Sequence, residues 1–263
     1  MADHVLSATQ SAASEALEVR RIKASDLRDC LREGLADFTA LRTHALFLIV
    51  LYPVIGLLLG AVTSNDSLMP LFFPLAAGFA LVGPIAAIGL YELSRRRELG
   101  HEPTLSDAAH VVRSPSIGPI FELSLLLALI FVAWLVAATL IYGQTMAGLR
   151  FSSYGAFIQA VFTTPQGWAL ILVGNVVGFL FAALSFTLTA VSYPLLLDRP
   201  VTLRAALATS VAAIRTNPGP MAAWALTIAV LLLVGSIPAF VGLAVVLPVL
   251  GHATWHLYRR LVP

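Results

Sequence analysis

The sequence predicts an all-α, polytopic helical membrane protein with six transmembrane helices, arranged as three repeats of a cytoplasmic amphipathic helix plus a transmembrane hairpin. Two observations predict this class. Only 11% of the 263 residues are charged and 59% are hydrophobic, with a mean hydropathy of +0.88, whereas soluble domains carry about 25% charged residues. The uncharged tracts are also long enough to cross a bilayer, which takes about 20 residues. So little charge cannot cover a soluble surface of this size, and we therefore expect the chain to lie in lipid.

The first three spans follow from tracts that contain no Asp, Glu, Lys or Arg. Three such tracts, of 23, 25 and 27 residues, precede Arg150. Gly118-Pro119 is a natural start for the third span, because proline fits the first turn of a helix. The tracts predict spans at about 45–62, 70–93 and 119–142.

Two longer tracts follow Arg150. In the first, Phe151–Gly167 is rich in Ser, Thr, Gln and Gly and predicts a loop or short interfacial helix, and Pro194 is expected to kink the span that follows. The second tract, 216–258, has 43 residues, about twice the thickness of the hydrocarbon core at about 1.5 Å per residue. It must fold back, and residues 235–238, Gly-Ser-Ile-Pro, supply the turn. The predicted spans are about 168–197, 221–236 and 238–257.

The distribution of Lys and Arg predicts the orientation. Fifteen of the sixteen basic residues lie before span one, between spans two and three, between spans four and five, or after span six. Arg150 alone lies on the opposite face. Because Lys and Arg resist translocation, both termini are expected in the cytoplasm. The first 43 residues are too acidic for a cleaved signal peptide, so span one is expected to act as an uncleaved signal.

A short amphipathic helix is predicted before each pair of spans. Ser25, Thr104 and Thr202 are the expected N-caps, and the prolines at 115 and 218 end the second and third helices. On the first helix, the expected apolar face is Leu27, Leu31, Leu35, Phe38 and Leu41. If the three helices mark a true repeat, a single membrane domain, 25–263, contains units at about 25–93, 104–197 and 202–258, preceded by a polar, flexible tail at 1–24. The alternative is that any loop between spans tends to carry such a helix.

Small and polar residues inside the spans predict how the helices pack. Gly56 and Gly60 form one Gly-x-x-x-Gly pair, and Gly174 and Gly178 form another. Such pairs let helix backbones approach closely, within the monomer or across a dimer face. Asn175 is the one amide within a span, and lipid offers it no hydrogen bonds. It is expected to face protein or water, as a link between helices or as a lining of a substrate path.

Four sequence strings are long enough to indicate a family. The strings are Gly-Phe-Ala-Leu-Val-Gly-Pro at 78–84, Gly-Leu-Tyr-Glu-Leu-Ser-Arg-Arg-Arg-Glu at 89–98, Pro-Leu-Leu-Leu-Asp-Arg at 194–199, and Gly-His-Ala-Thr-Trp-His-Leu-Tyr-Arg at 251–259. They resemble the family DUF2189, bacterial integral membrane proteins of unknown function, from about residue 20 to the end. The resemblance implies a multi-pass protein of the bacterial inner membrane and names no activity.

Polar residues at the predicted cytoplasmic ends of several spans form the candidate site. Ionisable groups at membrane depth normally pair or serve a pathway, so a polar cluster is expected there. In the alternative interpretation they are interfacial anchors and pairs within one helix, such as Glu92 with Arg96. Glu122, at the start of span three, is a further intramembrane candidate. The cluster candidates are Glu92, Arg95, Asp198, Arg199, His252 and His256.

Metal or cofactor binding has weak support in the sequence. His252 and His256 lie four residues apart, so both imidazoles share one helical face and could ligate a metal, with Glu92 as a third ligand. Haem would need His44 as its axial partner. No phosphate-binding loop, Gly-x-Ser-x-Gly or His-Glu-x-x-His motif occurs. We therefore predict no cofactor and no catalytic residues.

Three classes of function remain. A structural, assembly or interaction protein of the membrane fits the missing catalytic motifs and the many packing residues. A small-molecule or lipid-associated transporter fits the repeat and the helices broken by proline and glycine. A metal- or haem-binding protein using His252 and His256 is the third class. The expected partners are the lipid bilayer and other membrane proteins, and the net charge of +2 gives no reason to expect nucleic acid.

Overall fold

A computed structural model describes residues 16–41, 71–146, 148–149, 151, 153–238 and 240–263. Regular structure in these ranges is entirely helical, which confirms the all-α class. A 3-10 helix, Leu105–Arg113, lies between the second and third α-helices. The α-helices are α1 (Ala24–Leu41), α2 (Phe72–Glu98), α3 (Ile117–Thr145), α4 (Tyr154–Thr163), α5 (Pro165–Thr189), α6 (Ser192–Asp198), α7 (Leu203–Thr216), α8 (Pro218–Ser236) and α9 (Leu243–Leu261).

Four helical segments are long and apolar enough to cross a membrane: α2, α3, α5 together with α6, and α8. They match the second to fifth predicted spans. The first predicted span, 45–62, lies outside the described residues. Helix α9 is not among the four, because its second half carries histidine, tyrosine and arginine side chains that lower its hydropathy. A helical membrane protein is therefore confirmed, and the count of six spans stays a prediction.

Proline and glycine determine where the helices break. The helix of the fourth span is interrupted at 190–191, between α5 and α6. Pro194 causes this break, because it cannot donate the hydrogen bond that would reach the carbonyl of residue 190. Helix α8 ends at Ser236 as predicted, but α9 begins at Leu243 rather than at 238. At this turn Gly235 and Gly242 are so close that a Cβ on Gly242 would lie 2.7 Å from the Gly235 oxygen.

The three predicted amphipathic helices exist, but their caps differ. Thr202 caps α7 as expected, with its hydroxyl accepting a hydrogen bond from the Ala205 amide at 3.2 Å. Thr104 begins a 3-10 helix, and its amide donates to the Asp107 carboxylate at 2.7 Å. The prediction for Ser25 was wrong, because α1 already begins at Ala24.

The described residues form two compact units. The first contains 16–41, 83–125 and 186–263, and the second contains 71–82 and 126–185. In the first unit, part of the predicted flexible tail is held in place. The Leu17 amide donates to Thr209 Oγ1 at 2.9 Å, and the Ile22 amide donates to Asn217 Oδ1 at 2.8 Å. Residues 17–22 are therefore a bonded segment rather than a free tail.

In the second unit, helix packing centres on Trp134 of α3. Its indole nitrogen donates to the Pro74 carbonyl at 2.9 Å, and a Cβ on Gly178 would lie 3.2 Å from its ring. Gly178 thus serves the predicted close packing. Within the described ranges, no atom lies within 4 Å of a Cβ built on Gly174, the other member of that pair, and Gly56 and Gly60 lie outside these ranges.

The second unit also contains Asn175, which was expected to face protein or water. Its side chain is exposed on α5, and its amide nitrogen donates to the Ile171 carbonyl of the same helix at 2.7 Å. Asn175 therefore does not link helices in the described part of the chain. The amide donates instead to a backbone carbonyl one turn earlier in the same helix. Serine and threonine hydroxyls within helices often make the same kind of bond.

Candidate functional site

The candidate site is built on the second half of α9, which is almost entirely buried in the first unit. Helix α1 lies directly against it: a Cβ on Gly34 would come within 2.8 Å of the nitrogen, Cα and Cβ of Ala253. Leu90 of α2 packs against Gly251 on another side of α9. Because two glycines allow these approaches, polar side chains of α1, α2 and α9 are brought within hydrogen-bonding distance.

Four side chains in this region form a continuous chain of hydrogen bonds. His252 Nδ1 lies 2.7 Å from Ser94 Oγ, and Ser94 donates to Asp37 Oδ2 at 2.6 Å. His256 Nε2 lies 2.9 Å from the same carboxylate oxygen. Asp37, Ser94 and His252 are buried, and His252 has no exposed surface. Burying so many polar groups is tolerable only because each has a partner.

Two arginines balance the carboxylates around this chain. Arg97 donates to Asp37 Oδ1 at 2.6 Å, and Arg260 makes two hydrogen bonds of 2.8 Å to Glu33. Burial alone would raise the pKa of Asp37, but hydrogen bonds from His256 and Ser94 outweigh it and hold the pKa below its usual value. The hydrogen bond from Arg260 likewise lowers the pKa of Glu33. Both carboxylates are therefore ionised at neutral pH.

A second face of α9 contacts two other carboxylates. Tyr258 donates to Asp198 Oδ2 at 2.6 Å, and Trp255 donates to Glu98 at 2.9 Å. Arg259 lies between them, 3.0 Å from Glu98 and 3.4 Å from Asp198. These bonds join the ends of α2 and α6 to α9, so α9 is hydrogen-bonded to three other helices.

Glu92 is paired within its own helix. Its carboxylate accepts hydrogen bonds from Arg95 at 2.9 Å and from Arg96 at 2.6 Å. Arg96 continues to Asp107 of the 3-10 helix at 2.8 Å. The alternative interpretation of the sequence was a pair between Glu92 and Arg96 within one helix. That pair is present, and Arg96 also bonds to the neighbouring 3-10 helix.

The predicted cluster is therefore divided among three sets of partners. His252 and His256 belong to the chain with Ser94 and Asp37. Asp198 contacts α9 through Tyr258 and Arg259, and it lies 3.6 Å from Arg199. Glu92 and Arg95 pair with each other, and Glu122 is exposed on α3. Helix α9 contacts both α2 and α6.

Sequence reasoning missed Asp37, Ser94, Glu33, Arg97 and Glu98. The predicted apolar face of α1 was wrong at Leu35, which is 49% exposed, whereas Leu27 is buried and Leu31, Phe38 and Leu41 are partly buried. The buried face is rotated, and its members recur at intervals of three and four residues, which is the spacing of one helical face. That pattern, a face ending in an acid, was the signal available for Asp37. The buried residues of α1 are Leu27, Cys30, Gly34 and Asp37.

The donor set does not favour a metal. Within the described ranges, no group of three or more His, Cys, Asp or Glu side chains is arranged to hold an ion. His252 and His256 instead point at a hydroxyl and a carboxylate. His44, the proposed haem partner, lies outside the described residues.

The comparisons with known proteins agree with the membrane character of the chain. Residues 72–198 match the model of the family DUF2189, whose description is predicted integral membrane protein. This confirms the resemblance over that segment, which includes α2 to α6 and the strings at 78–84 and 89–98. The string at 251–259, in α9, lies beyond the matched residues. No curated protein and no solved structure matches the chain.

Proposed function

We propose that this chain is a structural or interaction protein of the bacterial inner membrane, with six spans in three repeated units and both termini in the cytoplasm. One observation carries the proposal: buried ionisable side chains of the first unit bond to one another rather than into a cavity. Glu92 and Asp37 are buried and Asp198 is partly buried, and all three have partners on neighbouring side chains. This is an arrangement that fixes helices in place.

The shape of the described surface supports the same function. Two depressions in the described ranges are both open. One is an apolar groove along α3, and the other is a hollow beside Arg97 and His101. A transporter would be expected to hold its substrate near the middle of the membrane between broken helices. The groove of α3 is better suited to an apolar helix or a lipid chain, and it is lined by Val132, Leu135, Val136, Thr139 and Leu140.

The charge distribution supports the proposed orientation. In sequence, the second unit contains a single charged residue among 71–82 and 126–185, Arg150. Tyr142, Phe151, Tyr154 and Phe157 of that unit form an aromatic cluster with ring centroids 5.3 to 6.2 Å apart. Aromatic residues concentrate at membrane–water interfaces, so we assign this cluster to the outer one.

Topology reporters test the orientation. A reporter fused at Gly100 or after the C-terminus is expected to be active only in the cytoplasm. A reporter inserted at Asn65 or Gly148 is expected to be active only outside. Activity of the Asn65 fusion in the cytoplasm would contradict the six-span arrangement.

Site-specific photo-cross-linking tests the interaction role. A photoreactive residue at Val132 or Val136, in the groove of α3, is expected to give one discrete adduct with another membrane protein in living cells. The matched control is Leu127, which is buried on the same helix and is expected to give none. Lipid adducts alone at both groove positions would contradict the proposal. Mass spectrometry after mild purification separates the alternatives, because a bound solute would favour transport, and bound metal or haem would favour the third class.

A further inference from the structure

We propose that Ser94 relays a proton between the buried His252 and Asp37, so that His252 is a proton-binding site connected to the protein surface through His256. This goes beyond the structural role and does not depend on it. The chain His252–Ser94–Asp37–His256, here named the relay, consists of three successive hydrogen bonds of 2.7, 2.6 and 2.9 Å. Each heavy atom lies within direct transfer distance of the next, with no gap that needs water.

The relay connects an interior position to an accessible one. His252 is fully buried, whereas the His256 side chain is 18% exposed and Glu33, 3.4 Å from its Nδ1, is 43% exposed. A buried imidazole without such a connection would exchange protons only when the helices separate. The relay would give it a route while α1, α2 and α9 stay packed.

The hydrogen-bond directions define the transfer. Ser94 donates its single hydroxyl proton to the ionised Asp37, so its oxygen accepts from the Nδ1–H of a doubly protonated His252. In the neutral ring, whose other nitrogen donates to the Leu90 carbonyl, Nδ1 is instead an acceptor. When His252 is doubly protonated, its Nδ1–H bond breaks as a new O–H bond forms on Ser94. The original Ser94 proton passes to Asp37 Oδ2 in the same step. The products are a neutral imidazole, an unchanged serine and a neutral carboxylic acid. When the His256 ring carries its proton on Nδ1, its free Nε2 accepts the Oδ2 proton of Asp37, and the Nδ1 proton leaves to Glu33 or to water, which restores the ionised Asp37. The reverse sequence reloads His252.

Charged groups on all three helices face the relay. On α1 these are Asp37 and Glu33, and on α2 Arg97 donates to the free oxygen of Asp37. On α9 they are His256 and Arg260, which binds Glu33. The two arginines offset the two carboxylates, so the proton that His252 takes up adds one net positive charge to this region. Transfer within the relay leaves the net charge unchanged, because the positive charge lies on His252 before the step and on Arg97, facing a neutral Asp37, after it.

Histidine NMR on the full-length chain in nanodiscs tests the relay. With 15N-labelled histidine, the rings of His252 and His256 are assigned from His252→Gln and His256→Gln, and exchange of each ring N–H with water is measured between pH 5 and 8. In the wild type, the His252 ring is expected to exchange despite its burial. In Ser94→Ala, exchange at His252 is expected to be lost while exchange at His256 remains.

Matched variants separate the relay from a packing defect. Ser192→Ala removes another fully buried hydroxyl, outside the relay, and is expected to leave His252 exchange unchanged. Ser94→Thr keeps a hydroxyl and is expected to restore exchange. If Ser94→Ala fails to fold, as judged by exposure of the buried Cys30 thiol, Asp37→Asn provides a second test with the same expected loss. Wild-type exchange at His252 in folded Ser94→Ala, or no exchange at His252 in the wild type, would overturn the proposal.

Discussion

The close approach of α1 and α9 at Gly34 gives the most quantitative prediction. A Cβ at Gly34 would lie 2.6 Å from the nitrogen and 2.7 Å from the Cβ of Ala253, about 0.7 Å short of the 3.4 Å at which ordinary contact begins. The neighbouring atoms are mostly backbone, which cannot rotate away. In Gly34→Ala, the two helices must therefore separate or distort.

The size of the effect follows from two opposing terms. Overpacking a tight contact costs about 1–3 kcal/mol, and the upper end applies where backbone atoms oppose the new methyl group. Replacing glycine by alanine inside a helix returns about 1 kcal/mol. We expect a net loss of about 2 kcal/mol in the docking of α1, which corresponds to a roughly 30-fold larger undocked population.

Cys30 reports this undocking directly. Its thiol is fully buried and lies on the same face of α1 as Gly34. A thiol reagent reaches Cys30 only in the undocked state, so its labelling rate is expected to rise about 30-fold in Gly34→Ala. The matched control is Gly174→Ala, where no atom of the described residues lies within 4 Å of the added methyl group and the rate is expected to stay unchanged. Wild-type labelling of folded Gly34→Ala would refute the steric argument.

Three further predictions concern single side chains. Burial raises the pKa of the Cys30 thiol to about 12, so the native protein is expected to resist alkylation by iodoacetamide at pH 8 and to react after denaturation; rapid alkylation of native protein would show that Cys30 is accessible. The pKa of Asp37 is lower in the folded state, so its stabilising contribution is present above the unfolded value of about 3.9 and is lost as the pH falls through the folded value. Thermal denaturation of Asp37→Asn is thus expected to depend less on pH in the acid range than that of the wild type, and equal slopes would contradict this. Asn175→Leu is expected to change thermal stability by less than about 0.5 kcal/mol, because the exposed amide bonds only its own helix among the residues that the structure describes; a large loss would indicate that Asn175 has an interhelical partner.

Much of the fold could be predicted because it depends on local sequence. Runs without charge set the positions of α2, α3, α5 and α8, since a charge inside lipid is costly whatever surrounds it. Prolines fixed the ends of helices for an equally local reason, the missing amide donor. The turn before α9 was placed too early because its position depends on the contact between Gly235 and Gly242 across the turn.

The candidate site could be predicted only in part. Histidines at 252 and 256 were identifiable because a four-residue spacing places both on one helical face. Their partners were not, because Asp37 and Ser94 are separated from His252 by more than 150 residues in sequence. The sequence by itself determined that this chain is a helical membrane protein, where four of its apolar helices lie, and that its polar residues gather near the helix ends. Only the tertiary structure decided which acid meets which base, because that choice depends on how closely glycine allows α1, α2 and α9 to approach.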